Sequence, residues 1–298
     1  MAKITLLDGG MGQELIKRSG DKPTPLWATQ VMIDRPGLVE QVHTAFFDAG
    51  ATVAMANTYA LLPDRLERAG LLDKIDTFRA AALAEAQSAR EAHGKGRIAG
   101  CIGPLGGSYR TDMFPGMEKA VAVYSGIVRQ MAPEVDIIAF ETLATLDTLR
   151  AALAAAEETS KPVWIGLTVD DKDGTRLRSG EPVAEAAALA AAGRCDALLI
   201  NCSAPEAMGP ALAAAAPSGL RLGAYANAFA QITSDFLDPE ATVDSLSARR
   251  DMGPQRYAGF AMDWVKQGAT IVGGCCETGP EHIAAIAERL RNAGHEIV

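Results

Sequence analysis

Three cysteines are the residues of this sequence whose types and spacing most plainly suggest chemistry. Cys202 ends the apolar run Ala197–Cys202. Cys275 and Cys276 form an adjacent pair that follows two glycines. Three thiolates with an open fourth position are the ligand plan of a catalytic zinc site, because a structural site is usually closed by a fourth ligand. Cysteine is also often buried, so the spacing leaves a zinc site and simple core thiols as alternatives.

The adjacency of Cys275 and Cys276 places a condition on the backbone. Successive residues of a regular strand point to opposite faces, so both sulfurs reach one ion only where the chain is distorted. The two preceding glycines permit such a distortion. The sequence has five cysteines, and an odd number favours free thiols or metal ligands over a disulfide framework. We expect the other two, Cys101 and Cys195, in the core.

Polar residues end several other apolar runs, and they are expected to converge if the runs are parallel strands of a barrel. They are Asp8, Asn57, Glu141, Asn201 and Asn227. Burial of the Glu141 carboxylate is unfavourable unless it binds a cationic group. Asp8 could instead cap a turn or helix, and each asparagine could be a structural hydrogen-bonding residue. Trp27 suits the core, but its ring could also face a cation near an acidic pocket.

Histidine is absent from these strand ends. His43, His93, His282 and His295 all fall in stretches predicted to be helical. Their placement argues against a histidine-based hydrolase or proton shuttle.

Short apolar runs alternate with alanine-rich helical stretches along the whole chain. Continuous apolar runs are typical of parallel strands that are covered on both faces. Eight such strands, each followed by a helix, predict a single α/β domain, residues 1–298, folded as a (β/α)₈ TIM barrel. A doubly wound open sheet is the alternative, although it more often has about six strands. The predicted strands are Ile4–Asp8, Thr52–Asn57, Arg97–Ile102, Asp136–Glu141, Val163–Val169, Ala197–Cys202, Arg221–Ala226 and Thr270–Cys275, and the predicted helices include Leu72–His93, Leu146–Thr159, Val183–Ala192 and Pro280–Asn292.

Two segments of the pattern are longer or less regular than barrel connections usually are. Phe229–Pro254 is expected to form a lid, an extra helix or a contact surface, which could mediate a homodimer. Leu105–Pro115 is expected to be an irregular loop.

Composition excludes several classes of function. The 298 residues are 48% hydrophobic and 22% charged, as in globular proteins, and the net charge is -9. An acidic chain without a basic run argues against nucleic acid and membrane partners. No stretch reaches the roughly 20 apolar residues of a membrane span, and the N-terminus lacks the pattern of a signal peptide. We therefore expect a cytoplasmic protein.

The motifs together resemble one family, the homocysteine S-methyltransferases. This group includes the betaine- and S-methylmethionine-using enzymes and the homocysteine module of cobalamin-dependent methionine synthase. The similarity runs almost from end to end, and the two cysteine motifs are its most specific part. The matching segments are LLDGGMGQEL at Leu6–Leu15, PLW at Pro25–Trp27, ANTY at Ala56–Tyr59, GP at Gly103-Pro104, FET at Phe140–Thr142, NCS at Asn201–Ser203, YAN at Tyr225–Asn227 and GGCCETGPEHI at Gly273–Ile283.

The resemblance implies a zinc-dependent barrel enzyme that methylates homocysteine to methionine with a small sulfonium or ammonium donor. It implies that Cys202, Cys275 and Cys276 hold Zn²⁺. Asp8 and Glu141 match positions that hold the amino acid part of homocysteine. It places Asn201 with Asp8 and Glu141 in the catalytic group. The residues that it assigns to substrate binding are Gly9, Gly10, Trp27, Asn57 and Asn227.

Two other functions stay open at the level of the sequence. The chain could be a homocysteine-activating module that needs a separate corrinoid-carrying protein, or a non-enzymatic barrel that uses its thiols for zinc storage or redox sensing. Departures from the family pattern bear on the first choice, because they lie where a methyl donor or partner would meet the site. These departures are Leu105, Glu277 and the segment 228–250.

Overall fold

Strands and helices alternate along the chain in this computed structural model, which describes residues 1–230, 232 and 246–298. The described strands are β1 Lys3–Leu6, β2 Val53–Met55, β3 Arg97–Ile102, β4 Ile137–Leu143, β5 Val163–Leu167, β6 Ala197–Asn201, β7 Leu222–Tyr225, β8 Ile271–Val272 and β9 Glu296–Ile297. The described helices are α1 Met11–Ser19, α2 Ala28–Asp34, α3 Leu38–Asp48, α4 Pro63–Arg68, α5 Ile75–His93, α6 Met117–Met131, α7 Leu146–Ala156, α8 Val183–Ala192, α9 Pro205–Ala215, α10 Pro254–Lys266 and α11 Pro280–Asn292.

The sheet is entirely parallel and closes on itself. Its hydrogen-bonded order runs from β2 through β8 in chain order and then to β1 and β9. A parallel bridge between Leu7 and Val53 joins β1 to β2, and the Thr52 amide donates to the Leu6 carbonyl at 2.7 Å. Since β9 pairs with the start of β1 at Lys3, the end of β1 remains available for this closure. The predicted TIM barrel is confirmed.

The helices cover the barrel with apolar stripes that the sequence pattern predicts. On α11, Ile283, Ile286 and Leu290 are fully buried. The helix begins with Pro280 at its first position, where the absent N–H would have had no partner in the helix. The predicted bounds of α8 and α11 agree with the structure, as do those of β3.

The structure shortens other predicted elements, extends the predicted strand Asp136–Glu141 to Leu143 and adds one strand. The predicted strand Thr270–Cys275 is wrong beyond Val272, because the chain leaves the sheet there and turns into the site. The predicted helix Leu146–Thr159 ends at Ala156, and Leu72–His93 begins with a 3₁₀ turn, Leu72–Lys74. The two-residue strand β9 was not predicted, because so short a run has no periodicity to detect.

The core has two layers that correspond to the inside and the outside of the barrel. The inner cluster includes Cys101 from β3, Trp164 from β5 and Leu199 from β6, which fill the barrel interior. The larger outer cluster lies between the strands and the helices. Cys101 is buried, as expected, and Cys195 packs against the outer cluster with part of its surface exposed.

Two βα connections are irregular and lie at the C-terminal end of the barrel. The connection after β3 has no helix or strand between Gly103 and Gly116, which confirms the irregular loop expected at Leu105–Pro115. The connection after β5 is ordered by bridges from Val169 to Leu177 and from Arg176 to Pro182. The predicted lid or contact surface at Phe229–Pro254 falls mostly outside the described residues.

None of the helices in the described part of the chain is long and apolar enough to cross a membrane.

Candidate active site

The three predicted cysteines meet at the C-terminal end of the barrel. The Cys202 sulfur lies 3.0 Å from that of Cys275 and 3.8 Å from that of Cys276, and the Cys275 and Cys276 sulfurs are 4.0 Å apart. Zn–S bonds of about 2.3 Å in tetrahedral geometry place pairs of sulfurs about 3.8 Å apart. Two of the three separations fit this value, and the third needs Cys202 and Cys275 to move apart by less than 1 Å. The three sulfurs therefore form a group that fits a metal ion.

The Cys pair reaches this position through the backbone distortion that the sequence analysis anticipates. After β8 the chain turns, and the Thr278 amide donates to the Cys275 carbonyl at 3.2 Å. Glu277, in this turn, has a φ of +64°, in the left-handed region. A Cβ atom on Gly274 would overlap the Thr278 side chain, so glycine is required at this position.

Strained backbone is concentrated at the same end of the barrel. Within the described chain, the residues other than glycine with positive φ are Trp27, Tyr109, Thr142, Cys202 and Glu277. Four of them line one cavity, and the fifth follows the Cys pair directly. Such conformations persist only where the surrounding structure enforces them, and they occur preferentially at functional sites.

Cys202 is also contacted by two residues outside the thiol cluster, Tyr109 and Arg178. The Tyr109 hydroxyl lies 2.9 Å from the Cys202 sulfur, and the Arg178 guanidinium stacks 4.7 Å from the centre of the Tyr109 ring. Arg178 also donates to the Cys202 carbonyl at 3.4 Å and pairs with Asp171. Hydrogen bonds from the other two thiols hold the pKa of Cys202 well below its usual range. The cluster thus favours a thiolate at Cys202.

Asp8 is fully enclosed beside the cavity and keeps one oxygen without a partner. Its Oδ2 accepts the Met55 amide at 2.8 Å, whereas its buried Oδ1 has no hydrogen bond. Burial raises the pKa of this carboxyl well above its usual value. A buried carboxylate oxygen without a donor is suited to receive a cationic group of a ligand.

His43 lies behind Asp8, so the site has a histidine nearby that the strand-end analysis missed. Its Nδ1 is 3.8 Å from Asp8 Oδ2, and both ring nitrogens are buried without hydrogen bonds. Burial lowers the pKa of His43 to about 3, so the ring is neutral at pH 7. The prediction that all four histidines lie in helices is wrong for His295, which lies between α11 and β9.

Glu141 contributes the second buried carboxyl of the site. The Tyr225 hydroxyl donates to its Oε1 at 2.9 Å. Burial raises the pKa of Glu141 to about 7. A nearby cation would restore its charged form, as the sequence analysis suggests for a carboxyl at the end of an apolar strand.

The asparagines are held in hydrogen bonds that brace the walls of the site. Asn201 accepts the Thr142 amide and donates to the Thr142 hydroxyl, both at 3.0 Å. Asn57 donates to the Ala28 carbonyl at 3.4 Å, at the start of α2. Asn227 is the one predicted site residue that does not line the cavity, and its Oδ1 accepts the Phe229 amide.

A cavity of about 420 Å³ joins the thiols and the two carboxyls. Its walls include the other predicted residues, Gly9, Gly10 and Trp27. Several buried polar atoms of the wall have no hydrogen-bond partner, which indicates that a polar ligand completes them. Among the described residues these atoms are Oδ1 of Asp8, both amide atoms of Gln13, Oγ1 of Thr24, Nε1 of Trp27 and Nε of Arg65.

Residues that the sequence analysis did not select complete the wall. Gln13 and Thr24 lie in segments that carry family motifs or adjoin them, but nothing in their spacing separated them from surface residues. Tyr109 lies in the loop that was expected to be irregular, and Arg65 lies on the short helix α4. The side-chain directions in loops and short helices follow from tertiary packing, so periodicity could not place them.

Comparison with protein families supplies the observation that decides between the open alternatives. The sequence model of the homocysteine S-methyltransferase family matches residues 5–290 of this chain. The chain belongs to this family. The match spans the Asp8 segment, Glu141 and all three clustered cysteines.

Known members of this family align with the present chain along nearly their whole length. The homocysteine S-methyltransferase of Escherichia coli is 29% identical, with 96% of this chain and 95% of the relative aligned. The Bacillus subtilis homocysteine S-methyltransferase YbgG is 27% identical, over 97% and 95%. The crystal structure of the E. coli homocysteine methyltransferase MmuM in a metallated form has a TM-score of 0.80 at 28% identity and covers 96% of both chains.

These relatives settle the class of protein and disfavour one alternative. The chain is a methyltransferase of the homocysteine S-methyltransferase family, so the non-enzymatic storage or sensing hypothesis does not stand. The relatives align with this chain over nearly their whole length and are named as homocysteine methyltransferases, so the corrinoid-dependent module is not favoured. Within the described chain, Cys202, Cys275 and Cys276 form the group of side chains that could hold a metal ion.

Proposed function

We propose that this protein transfers a methyl group from a small sulfonium or ammonium donor to the thiolate of homocysteine, giving methionine. The observation that carries the proposal is the position of the three thiols beside two buried carboxyls in one cavity. The thiols suit a metal and a sulfur substrate, and the carboxyls suit an amino acid ammonium group. We place the whole chain, residues 1–298, in this role, as a cytoplasmic enzyme.

The ligands of the cluster favour zinc. Thiolates are soft ligands that select Zn²⁺ over the harder divalent cations, and three protein ligands leave one position for the substrate sulfur. When bound by Cys202, Cys275 and Cys276, Zn²⁺ would keep a coordinated homocysteine sulfur ionised at neutral pH.

The polar wall atoms of the cavity suit the amino acid end of homocysteine. Asp8 Oδ1 and the Glu141 carboxyl would receive the ammonium group, which would in turn favour their charged forms. The Gln13 side-chain amide and the first turn of α1 would receive the carboxylate, because helix N-termini present free N–H groups. The Gly10 amide already donates to the Thr278 carbonyl at 2.8 Å, so Gly9 is the glycine of the pair with a backbone amide left for the substrate.

Methyl transfer then needs orientation more than proton transfer. The homocysteine sulfur forms the new S–CH₃ bond while the bond from the methyl carbon to the donor sulfur or nitrogen breaks. The bonding electron pair stays with the donor, which leaves as a neutral thioether or amine. No base is required, in keeping with the neutral, buried His43. The chain contributes positioning and a negative environment, with Trp27 available to face the donor cation.

The donor is tested by measuring methionine. The reduced, zinc-loaded protein is incubated with homocysteine and with S-methylmethionine, S-adenosylmethionine, betaine or methylcobalamin in separate reactions. We expect turnover with at least one sulfonium or ammonium donor. Methionine from none of these three donors would contradict the proposal, and methionine from methylcobalamin alone would return the protein to the corrinoid-dependent class.

A further inference from the structure

The cavity that holds the thiols is lined by charged side chains of both signs. Among the described residues, the carboxyls that line it are Asp8 and Glu141, and both are buried. The described arginines that line it are Arg65 and Arg110, which are half-buried, and Arg68, which is exposed. This concentration of guanidinium groups is unexpected in a chain of net charge -9 whose proposed donor is itself a cation.

Arg65 differs from the other two arginines in its surroundings. Arg110 forms a two-point ion pair with Asp112, at 2.7 Å for each contact, and Arg68 is exposed to solvent. Arg65 is half-buried, and among the described residues no carboxylate lies within ion-pair distance of it. Its neighbour Asp64 accepts the Gly106 amide at 2.9 Å instead.

The contacts of Arg65 fix its guanidinium in the cavity wall but leave donors unused. Its Nη2 donates to the Ser108 hydroxyl at 3.3 Å, and the group lies 5.3 Å from the centre of the Tyr59 ring. Its Nε is buried and has no hydrogen-bond partner among the residues that the structure describes. A buried guanidinium N–H without an acceptor is unfavourable, and a carboxylate is the acceptor whose two oxygens match it best.

The same stretch of wall connects Arg65 to the thiol cluster. Ser108 contacts Arg65, and the next residue, Tyr109, contacts the Cys202 sulfur. The hydroxyls of Tyr59 and Ser108 are 2.7 Å apart, which keeps this wall in place. Arg65 and the three cysteines line the same cavity of about 420 Å³, so a single bound molecule can face both.

We propose that Arg65 binds the carboxylate of the methyl donor and so selects donors that carry both a cationic methyl group and a carboxylate. This inference rests on the proposed function and adds to it which group of the donor the protein recognises. The donor cation faces the thiolates of the cluster, and its carboxylate faces Arg65, so the charges of the cavity orient the methyl group toward homocysteine.

The test compares donors that have a free carboxylate with the same donors as methyl esters, in wild type and two Arg65 variants. S-methylmethionine and betaine are assayed against their methyl esters with wild type, Arg65→Gln and Arg65→Lys, and KM is measured for the donor and for homocysteine. A charge-assisted hydrogen bond corresponds to on the order of tenfold or more in affinity. We expect Arg65→Gln to raise the KM of the acid donor by that factor, with little change for the ester or for homocysteine. Arg65→Lys should recover part of the loss.

Two further variants separate a local contact from a general effect of charge. Arg129→Gln removes an exposed charge on the outer helix α6, far from the cavity wall, and should leave every KM unchanged. Arg68→Gln removes the exposed charge one turn along α4 and should change the acid donor's KM by less than about twofold, as for an exposed charge. Equal losses in Arg68→Gln and Arg65→Gln would contradict a specific anchor.

The outcomes also distinguish this inference from the proposed function. If Arg65→Gln forms methionine with an unchanged KM for the donor, only the role of Arg65 in donor binding is overturned. A raised KM for homocysteine in place of the donor would have the same meaning. Absence of methionine with wild type and every sulfonium or ammonium donor would overturn the proposed function and the anchor with it.

Discussion

Buried polar side chains without protein partners define the chemistry of this protein at the scale of single residues. Asp8 keeps a carboxylate oxygen free, and Gln13 keeps both amide atoms free, although each is buried. The Glu141 carboxyl accepts a hydrogen bond from the Tyr225 hydroxyl. Burial of such groups opposes folding, so their presence together in one cavity is explained by a ligand that supplies the missing partners.

Glu141 should make the stability of the protein depend on pH in a defined direction. In the folded chain burial raises its pKa to about 7, from an ordinary value of 4.5. Between these pH values the folded state binds more protons than the unfolded state, so the free energy of unfolding falls as pH rises. Glu141→Gln removes this dependence. Its stability relative to wild type should therefore be greater at pH 8 than at pH 4, by up to about 3 kcal/mol.

Urea unfolding of both proteins without substrate at the two pH values provides the measurement. Titrating groups far from Glu141 are common to wild type and variant and cancel in the difference, which therefore reports Glu141 together with Asp8, whose pKa the Glu141 charge raises. A difference in stability that is the same at pH 4 and pH 8 would show that Glu141 is not held in its neutral form.

At the scale of elements, the connections after the strands determine the site. β8 ends at Val272, and the turn that follows brings two adjacent sulfurs to one place. The turn depends on Gly274, whose position leaves no room for a Cβ atom against Thr278. The barrel thus supplies a rigid frame, and the irregular connections supply the chemistry.

Gly274→Ala should damage the metal site more than the fold. The added methyl group would displace the Thr278 side chain and the turn that carries the Cys pair. We expect zinc affinity to fall at least tenfold, while the circular dichroism spectrum stays that of the wild type. Gly253→Ala is the control, because a Cβ atom there meets no neighbour within 4 Å. Equal zinc affinity in the two variants would exclude the turn as the determinant of the site.

The sequence predicted the elements better than it predicted their ends. Continuous apolar runs identified the eight barrel strands, because strands covered on both faces leave that pattern. Strand ends were overestimated where the apolar run continues after hydrogen bonding stops, as at Thr270–Cys275. The polar residues at those ends were found because parallel strands bring them together. Arg65, Tyr109 and His43 were missed, because their side chains reach the site from helices and a loop whose packing a linear pattern does not encode.

At the scale of the whole molecule, the closed barrel holds distant segments in register. Cys202 and Cys275 are separated by 73 positions, yet their sulfurs are neighbours, since β6, β7 and β8 are consecutive in the sheet. The inner core of the barrel lies directly beneath the site and includes Tyr225, which also bonds Glu141. Packing of the barrel and positioning of the site are therefore linked.

Loss of packing inside the barrel should reduce stability strongly. Leu199 is fully buried in the inner cluster, so Leu199→Ala should lower the free energy of unfolding by about 2–5 kcal/mol. Leu72→Ala removes the same atoms from a residue that is 40% exposed and should change stability by less than about 0.5 kcal/mol. Chemical denaturation measures both, and similar losses in the two variants would contradict the assignment of the inner core.

The central claim is that Cys202, Cys275 and Cys276 together hold the zinc ion on which methionine formation depends. The most direct measurement is the zinc content of Cys276→Ser and Cys195→Ser, with methionine formation assayed on the same preparations. Both variants lose one partly exposed thiol, but only Cys276 lies in the cluster. We predict loss of zinc and at least a hundredfold loss of activity in Cys276→Ser, with both properties retained in Cys195→Ser. Full zinc content and activity in Cys276→Ser would contradict the account.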